Sequence, residues 1–378
     1  MSQPAGDFGL VADDLTGACD AGVQFAQHGL RTLVWLSGEG PPAGVDVLVL
    51  VTEGRALAPE KARAAAKAAS ERLRRLGHDV LFQKIDSTLR GNPGHEILGV
   101  MEAGGFDLAI LTPAFPAMGR IVERGWLHAT GAGEPVHVAA RLREQGIREV
   151  VEAGSESWLE LERSRRGKPI VVLVDARSEA DLDRAAQLWC AIEPRPLAVG
   201  SAGLARAVAR ALAGPPLEAE APHGVNGPAG AVLLMIGSTH PVTAAQVEAL
   251  VQSGAVVLDA DQLPAARRAL MARCPTVVQL EPAQVSTARL SAWRDVIREC
   301  SLCGLVLCGG DTALAVCRAL AVEGIELERE VVTGIPSGRL VGGPLAGLPV
   351  VTKAGGFGGP DALAQAVKFL LRRGANLQ

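Results

Sequence analysis

Apolar runs of strand length alternate with longer segments of helical periodicity along almost the whole chain. Residues 8–12 form an uninterrupted apolar run that leads into a helical pattern over 17–28. Residues 31–36 and 45–51 read as strands. Residues 59–76 read as a helix, rich in alanine with lysine and arginine at its outward positions, and Gly77 reads as its stop. Strands are predicted at 79–84, 107–112, 170–175 and 197–201, with helices over 179–191 and 202–212 and a helix opening at Asn92-Pro93. Such alternation implies a parallel sheet covered on both faces.

The pattern breaks over residues 214–230, where four prolines and four glycines fall in a short span. A segment of that composition reads as a linker. Beyond it the alternation restarts. Strands are predicted at 231–236, 255–258, 276–280, 304–308 and 349–352, and helices at 242–252, 264–272, 287–300, 311–321 and 360–373. The expected fold is α/β. It has two lobes, each a mostly parallel sheet between helical layers, joined by a Pro/Gly-rich hinge and divided as 1–213, 214–230 and 231–378.

Composition narrows the function. Of 378 residues 44 are glycine, aromatics make up 3 % and tyrosine is absent. Lysine and arginine number 37 against 41 acidic residues, a net charge of −4. That balance lacks the basic footprint of a nucleic-acid partner, and so few aromatics supply no base-stacking platform. No stretch has the length and apolarity of a membrane span, and residues 1–14 lack the features of a signal peptide. A cytoplasmic protein with neither nucleic-acid nor membrane partners is expected. Seven cysteines without paired metal-type spacing read as buried or partly buried free thiols.

Parallel sheets bind ligands at the carboxyl ends of their strands, so the loops there carry the candidate chemistry. After the first strand stand Asp13 and Asp14, followed by Thr16 and Gly17. Adjacent carboxylates raise one another's pKa, and the pair suits hydroxyl binding, a metal or a general base. The same residues also fit plain helix capping by Asp14 or Thr16. After the strand at 79–84 the chain reads Lys84-Ile-Asp86-Ser87-Thr88-Leu-Arg90-Gly91-Asn92-Pro93. Two cations, a carboxylate and two hydroxyls meet a helix N-terminus there, with Asn92 as the expected N-cap. Arg90 suits a carboxylate and Lys84 a phosphate.

In the second half, three small-residue turns follow strands: Gly237-Ser238-Thr239, Gly309-Gly310-Asp311-Thr312 and Ala354-Gly355-Gly356-Phe357-Gly358-Gly359. Glycine lets backbone N–H groups approach an anion closely. Three such turns at one sheet edge point to a nucleotide. His128 and His240 lie beside turns. The P-loop, dinucleotide, zincin and nucleophile-elbow signatures do not occur.

These segments together resemble the four-carbon acid sugar kinases. The resemblance rests on Val11-Ala-Asp13-Asp14-Leu-Thr16-Gly17, Lys84 through Asn92, Pro113 through Arg120, Gly237-Ser238, Gly309 through Thr312, and Thr352-Lys353-Ala-Gly355-Gly356-Phe357-Gly358, in order along nearly the whole chain. It implies an ATP-dependent kinase acting on the terminal hydroxyl of a threonate, erythronate or 3-oxo-tetronate. Residues 1–213 would bind the sugar acid and 231–378 the nucleotide, with Mg²⁺ accompanying ATP. The loop at 84–88 resembles the threonate/erythronate type.

The resemblance further implies Asp13, Asp14 and Asp86 as acceptor-side carboxylates, one of them the base, and Lys84 as transition-state charge. Arg55, Ser87, Thr88 and Arg90 would bind substrate. Ser238, Gly309, Gly310, Asp311, Thr312, Gly355 and Gly356 would cradle ATP. No protein ligand of the metal is assigned. Closure about 214–230 would exclude water. The chain departs from the family pattern in two places. Gly54-Arg55 replaces a usual Ser-Arg or Thr-Arg pair, and the segment after His128 is short. The chain is compatible with a homo-oligomer. A 3-oxo-tetronate kinase of the same family, a non-catalytic sugar-acid sensor and a dinucleotide oxidoreductase are the other readings, the last disfavoured by the missing glycine fingerprint.

Overall fold

A computed structural model of the chain describes residues 7–131, 133–153, 169–217, 230–281 and 287–375. The described residues fall into two compact units. One lies within Met1–Thr32 and Pro42–Pro216, the other within Leu33–Pro41 and Leu217–Gln378.

The first unit is built on the near-continuous apolar runs that a sheet covered on both faces requires. In spatial order its strands are Val47–Val51, Phe8–Ala12, Asp79–Lys84, Leu197–Gly200, Leu108–Thr112, Ile170–Val174 and Glu149–Ala153, and every adjacent pair is parallel. The helices Pro59–Arg75 and Pro93–Gly104 pack on one another. Leu15–Ala26 and Glu179–Ala191 both pack on Ala202–Ala213. Strand order reverses between Phe8–Ala12 and Asp79–Lys84. Their carboxyl ends, Ala12 and Lys84, are in register. That reversal opens a crevice at the strand ends, and it places Asp13 and Asp86 on its two sides.

A small antiparallel sheet, Arg120–Glu123, Trp126–Ala129 and Val136–His137, extends from the same unit. The strand pattern leaves it out, because its positions are mostly half-exposed and lack a continuous apolar run. The short segment after His128 is the turn region of this sheet.

In the second unit the order is Val256–Asp259, Thr276–Gln279, Ala231–Ile236, Leu302–Cys308 and Pro349–Lys353, all parallel, then Ile335–Val341 and Gly324–Val332, both antiparallel. Here the order reverses between Ala231–Ile236 and Leu302–Cys308, which sets Gly237 beside Gly309. The helix Ala362–Ala375 packs on Pro241–Gln252, and Thr287–Glu299 packs on Gly310–Ala319. Gly304 gives the Ala362–Ala375 helix its close approach, since a Cβ there would stand 2.6 Å from Leu370.

Several expectations change. Residues 33–41 cluster with the second unit, because the Leu36 and Ser37 amides both donate to the Glu323 carbonyl, at 2.8 and 3.1 Å. Most of the 214–230 linker, 218–229, lies outside the described residues. The last helix starts at Ala362, not at Pro360. The glycines of 334–347 belong largely to the antiparallel pair and its turns, where Gly334, Gly342, Gly343 and Gly347 have positive φ. The cysteines are free, five of them buried. Among the described residues no helix is long and apolar enough to cross a membrane.

Candidate active site

Three neighbouring strand ends in the first unit deliver Arg55, Asp13 with Asp14, and Asp86 to one cluster. Asp14 caps the Leu15–Ala26 helix, its Oδ1 accepting from the Gly17 amide at 2.8 Å and its Oδ2 from the Thr16 hydroxyl at 2.9 Å. The capping role and the site role therefore belong to one residue. A Cβ on Gly17 would sit 2.9 Å from the Lys84 ammonium and 2.5 Å from Asp14 Oδ1. Glycine there lets the buried Lys84 reach this helix start. The Lys84 ammonium donates to the Ile85 carbonyl at 3.0 Å.

Arg55 spans the carboxylates. Its Nε and Nη2 reach Asp13 Oδ2 at 2.9 and 2.7 Å, Nη1 reaches Asp14 Oδ2 at 3.0 Å, and Nη2 stands 3.6 Å from Asp86 Oδ2. Burial works against the guanidinium, but the three carboxylates outweigh it and raise its pKa above the ordinary arginine value. Asn92 positions the Arg55 segment rather than capping the Pro93–Gly104 helix. Its amide donates to the carbonyls of Gly54 at 3.0 Å and Leu57 at 2.8 Å, and it makes no side-chain capping bond.

The carboxylates differ sharply. Asp13 is 2 % exposed, and its Oδ1 is buried without a hydrogen-bond partner among the described residues. Burial raises its pKa to about 6, against the pull of Arg55 and with the push of Asp14. Asp86 is saturated. Its Oδ1 accepts from the Thr88 amide at 2.9 Å, the Thr88 hydroxyl at 2.5 Å and Arg90 Nε at 3.1 Å, while its Oδ2 accepts from Arg90 Nη2 at 2.6 Å. Burial alone would raise the Asp86 pKa, but the Arg90 hydrogen bonds and the Arg55 charge hold it well below the usual carboxylate range.

Two residues of this region carry no role in the sequence reading. Arg120, arriving from the next strand-end loop, donates from Nη1 to Ser87 Oγ at 2.6 Å. Glu96 lies in the first turn of Pro93–Gly104, 1 % exposed, with the Thr52 hydroxyl 3.4 Å from Oε1. Burial, then the Asp13 charge, pushes it up to about 9, so it is a neutral acid at pH 7. A Cβ on Gly54 would stand 1.7 Å from Glu96 Oε1. The Glu96 carboxyl thus fills the space a side chain at position 54 would take.

In the second unit the three glycine turns touch. A Cβ on Gly237 would lie 1.9 Å from Thr312 Oγ1, and one on Gly355 would lie 2.1 Å from Ser238 Oγ. Gly309 has φ +101, a conformation glycine tolerates and other residues do not, and its Cβ position is 3.4 Å from the Ser238 amide. Gly310 starts the helix, with Asp311 and Thr312 in its first turn. Beside Gly356 stands His240, which caps Pro241–Gln252 through Nδ1. Gly237→Ala would overpack this junction. It is expected to cost about 1–3 kcal/mol, read as a lower Tm together with weaker nucleotide binding. Unchanged values of both would show that the turns do not depend on this contact.

Comparison with known proteins assigns each unit a type. The family model for a sugar-binding N-terminal domain matches residues 8–147 and 136–208, and that for a nucleotide-binding C-terminal domain matches 265–363. A D-threonate kinase of Bordetella bronchiseptica is 35 % identical, over 97 % of this chain and 98 % of its own. A D-erythronate kinase of Heliobacterium modesticaldum is 30 % identical, over 97 % and 98 %. A crystal structure of a Haemophilus influenzae protein shares the fold at TM-score 0.71 and 19 % identity, over 96 % of this chain and 100 % of that one. A sugar-binding and a nucleotide-binding domain in one chain, with full-length relatives that are kinases, make this a phosphotransferase with an alcohol group as acceptor. The chain belongs to the four-carbon acid sugar kinase family.

Proposed function

We propose that the chain transfers the γ-phosphoryl group of ATP to the terminal hydroxyl of a four-carbon sugar acid of the D-threonate or D-erythronate type. The observation that carries the chemistry is the unpartnered, buried Oδ1 of Asp13, held at a strand end by Arg55 and raised toward neutral pH. A hydroxyl nucleophile needs such an acceptor for its proton. Asp13 Oδ1 takes that proton as the hydroxyl oxygen bonds to the γ-phosphorus. The bond from that phosphorus to the bridging oxygen breaks, and ADP leaves. Asp86, saturated and strongly acidic, serves to hold Arg90.

Arg55 already faces three carboxylates. Arg90 gives Asp86 two side-chain donors and is largely exposed, so it retains donors for a substrate carboxylate. Ser87, accepting from Arg120, keeps its own proton for a substrate oxygen. Thr88 braces Asp86, and Lys84 adds positive charge near the reacting groups. Ser238, Gly309, Gly310, Asp311, Thr312, Gly355 and Gly356 receive the nucleotide. Among the described residues no group of three His, Cys, Asp or Glu could hold a metal ion, and Arg55 occupies the carboxylate cluster. Mg²⁺ would accompany ATP, ligated mostly by phosphate and water, and no protein ligand is assigned to it. The substrate class is supported by the relatives named above and by the loop Lys84-Ile-Asp86-Ser87-Thr88.

An ADP-release assay over a panel of four-carbon acids tests the reading. Turnover is expected with D-threonate or D-erythronate and with neither five-carbon acids nor neutral tetroses. Turnover confined to a 3-oxo acid would reassign the substrate. Folded protein that turns over no four-carbon acid would overturn the reading.

A further inference from the structure

The nucleotide-side unit buries a cation that the proposed chemistry does not use. Lys353 ends the strand Pro349–Lys353 with its side chain 0 % exposed. Its ammonium donates to the carbonyl oxygens of Ala354 at 3.1 Å and Gly355 at 2.9 Å, and to Thr243 Oγ1 at 3.3 Å. Three oxygen acceptors match the three N–H donors of a charged lysine. The nearby Cys308 thiol, 4.0 Å away, is pushed up by burial and stays neutral, while burial lowers the lysine from its ordinary value. Among the described residues no carboxylate pairs with Lys353. A buried cation without a counter-charge is costly, and an apolar side chain of the same volume would fill the site without that cost.

The surrounding hydrogen bonds show what the cation is arranged to do. Thr243 Oγ1 donates to the Gly355 carbonyl at 2.7 Å. The buried Gln246 amide donates to the carbonyls of Phe357 at 3.1 Å, Gly358 at 3.1 Å and Gly359 at 2.8 Å. Lys353, Thr243 and Gln246 therefore engage the carbonyls of the turn from its buried side. The amides of Gly355 and Gly356 have no hydrogen-bond partner among the described residues, and both glycines are half-buried. A turn with its carbonyls tied down and its amides free is set up to accept an anion.

We propose that Lys353 is a positioning residue for the phosphates of the nucleotide: it fixes the 354–359 turn in its amide-donating form and places a positive charge behind it. The inference rests on the reading of this unit as the ATP side. It makes Lys353 matter in proportion to the negative charge of the ligand and not to its base or sugar.

The test is calorimetric titration of the full chain and Lys353→Met with ATP, ADP and adenosine. Methionine fills the lysine volume but removes the charge and its three donors, so the ligand-free variant should fold with a modestly lower Tm, because the Ala354 and Gly355 carbonyls each lose a donor. Expected is a loss of about tenfold or more in ATP and ADP affinity, with adenosine affinity and the KM for the sugar acid unchanged. Equal losses for adenosine and ATP would show a merely structural role and overturn the proposal, as would no loss at all. If Lys353→Met does not fold, Thr243→Val removes one of the three acceptors and the bond to Gly355, and it should show the same phosphate-selective loss in smaller measure. An unmodified chain that binds no ATP would sink the nucleotide-side reading itself, an outcome distinct from either variant's.

Discussion

Asp13→Asn is expected to lower kcat by about 10²–10⁴-fold, the range for removing a general base, with ATP affinity within about twofold of the unmodified chain. Asparagine keeps the shape and an acceptor oxygen for Arg55 but cannot take the proton. The unmodified enzyme should show the matching acid limb. Asp13 must be ionised to act, and its pKa is raised to about 6. kcat/KM should therefore climb as pH rises through about 6 and level off above it. Asp86 lies far below that window and contributes no step there. Asp86→Asn should act instead through Arg90, raising the KM for the acid more than it lowers kcat. A dead Asp86→Asn beside an active Asp13→Asn would move the base to Asp86.

Arg55→Met should be the most damaging change to the stability of the first unit. It leaves Asp13 and Asp14 buried and adjacent with no guanidinium between them. Removing one partner of a buried ionic group typically costs about 3–5 kcal/mol, which corresponds to a Tm lower by roughly 10 °C. The deficit should depend on pH in a defined direction. Without Arg55 the folded-state pKa of Asp13, already raised by burial, rises further, so Asp13 is neutral at low pH and the penalty is small there. As pH rises through that raised value it ionises and the penalty grows. The variant should thus lie closer to the unmodified chain at pH 5 than at pH 8. Arg55→Lys should recover little, because one compact ammonium cannot bridge the carboxylates that the planar fork spans. A Tm within about 2 °C of the unmodified chain at pH 8 would refute this account.

Much of this architecture is legible in the chain because parallel strands leave a simple signature. Their apolar runs are unbroken, and the residues just beyond each run lie on the ligand-binding edge. That logic locates Asp13, Asp86, Gly237, Gly309 and Gly355 without coordinates. It misses the sheet at 120–137 and the antiparallel pair at 324–341, where one face is half-exposed. Yet the alternation Ile325-Glu-Leu327-Glu and the turn at Thr333-Gly334 form a hairpin pattern.

Roles are harder to read than places. Whether Asp13 or Asp86 is the base depends on which one Arg90 and Thr88 saturate, and Arg90 lies four residues beyond Asp86 on a loop whose shape the sequence does not state. Asn92 looks like a cap because it precedes Pro93, but its side chain turns to the Gly54 segment. Lys353 stands just past the strand predicted at 349–352, in the turn motif that carries part of the resemblance, with no role of its own. Its purpose appears only when Thr243 and Gln246, more than a hundred residues earlier, are seen around the same turn.

The contact between Gly54 and Glu96 has a consequence for how such a site can change over generations. The carboxyl of Glu96 occupies the volume of any side chain at position 54, so the two positions are not independent. A serine or threonine introduced at 54 first must drive a buried acid off its seat beside Asp13. The same change made after Glu96 has shortened meets only the Thr52 hydroxyl, 3.0 Å from the new Cβ. The permitted order of substitution is set by one missing methyl group. A Gly54 and Glu96 double-mutant series should display it as strong sign epistasis, with Gly54→Ser harmful beside glutamate and tolerated beside alanine.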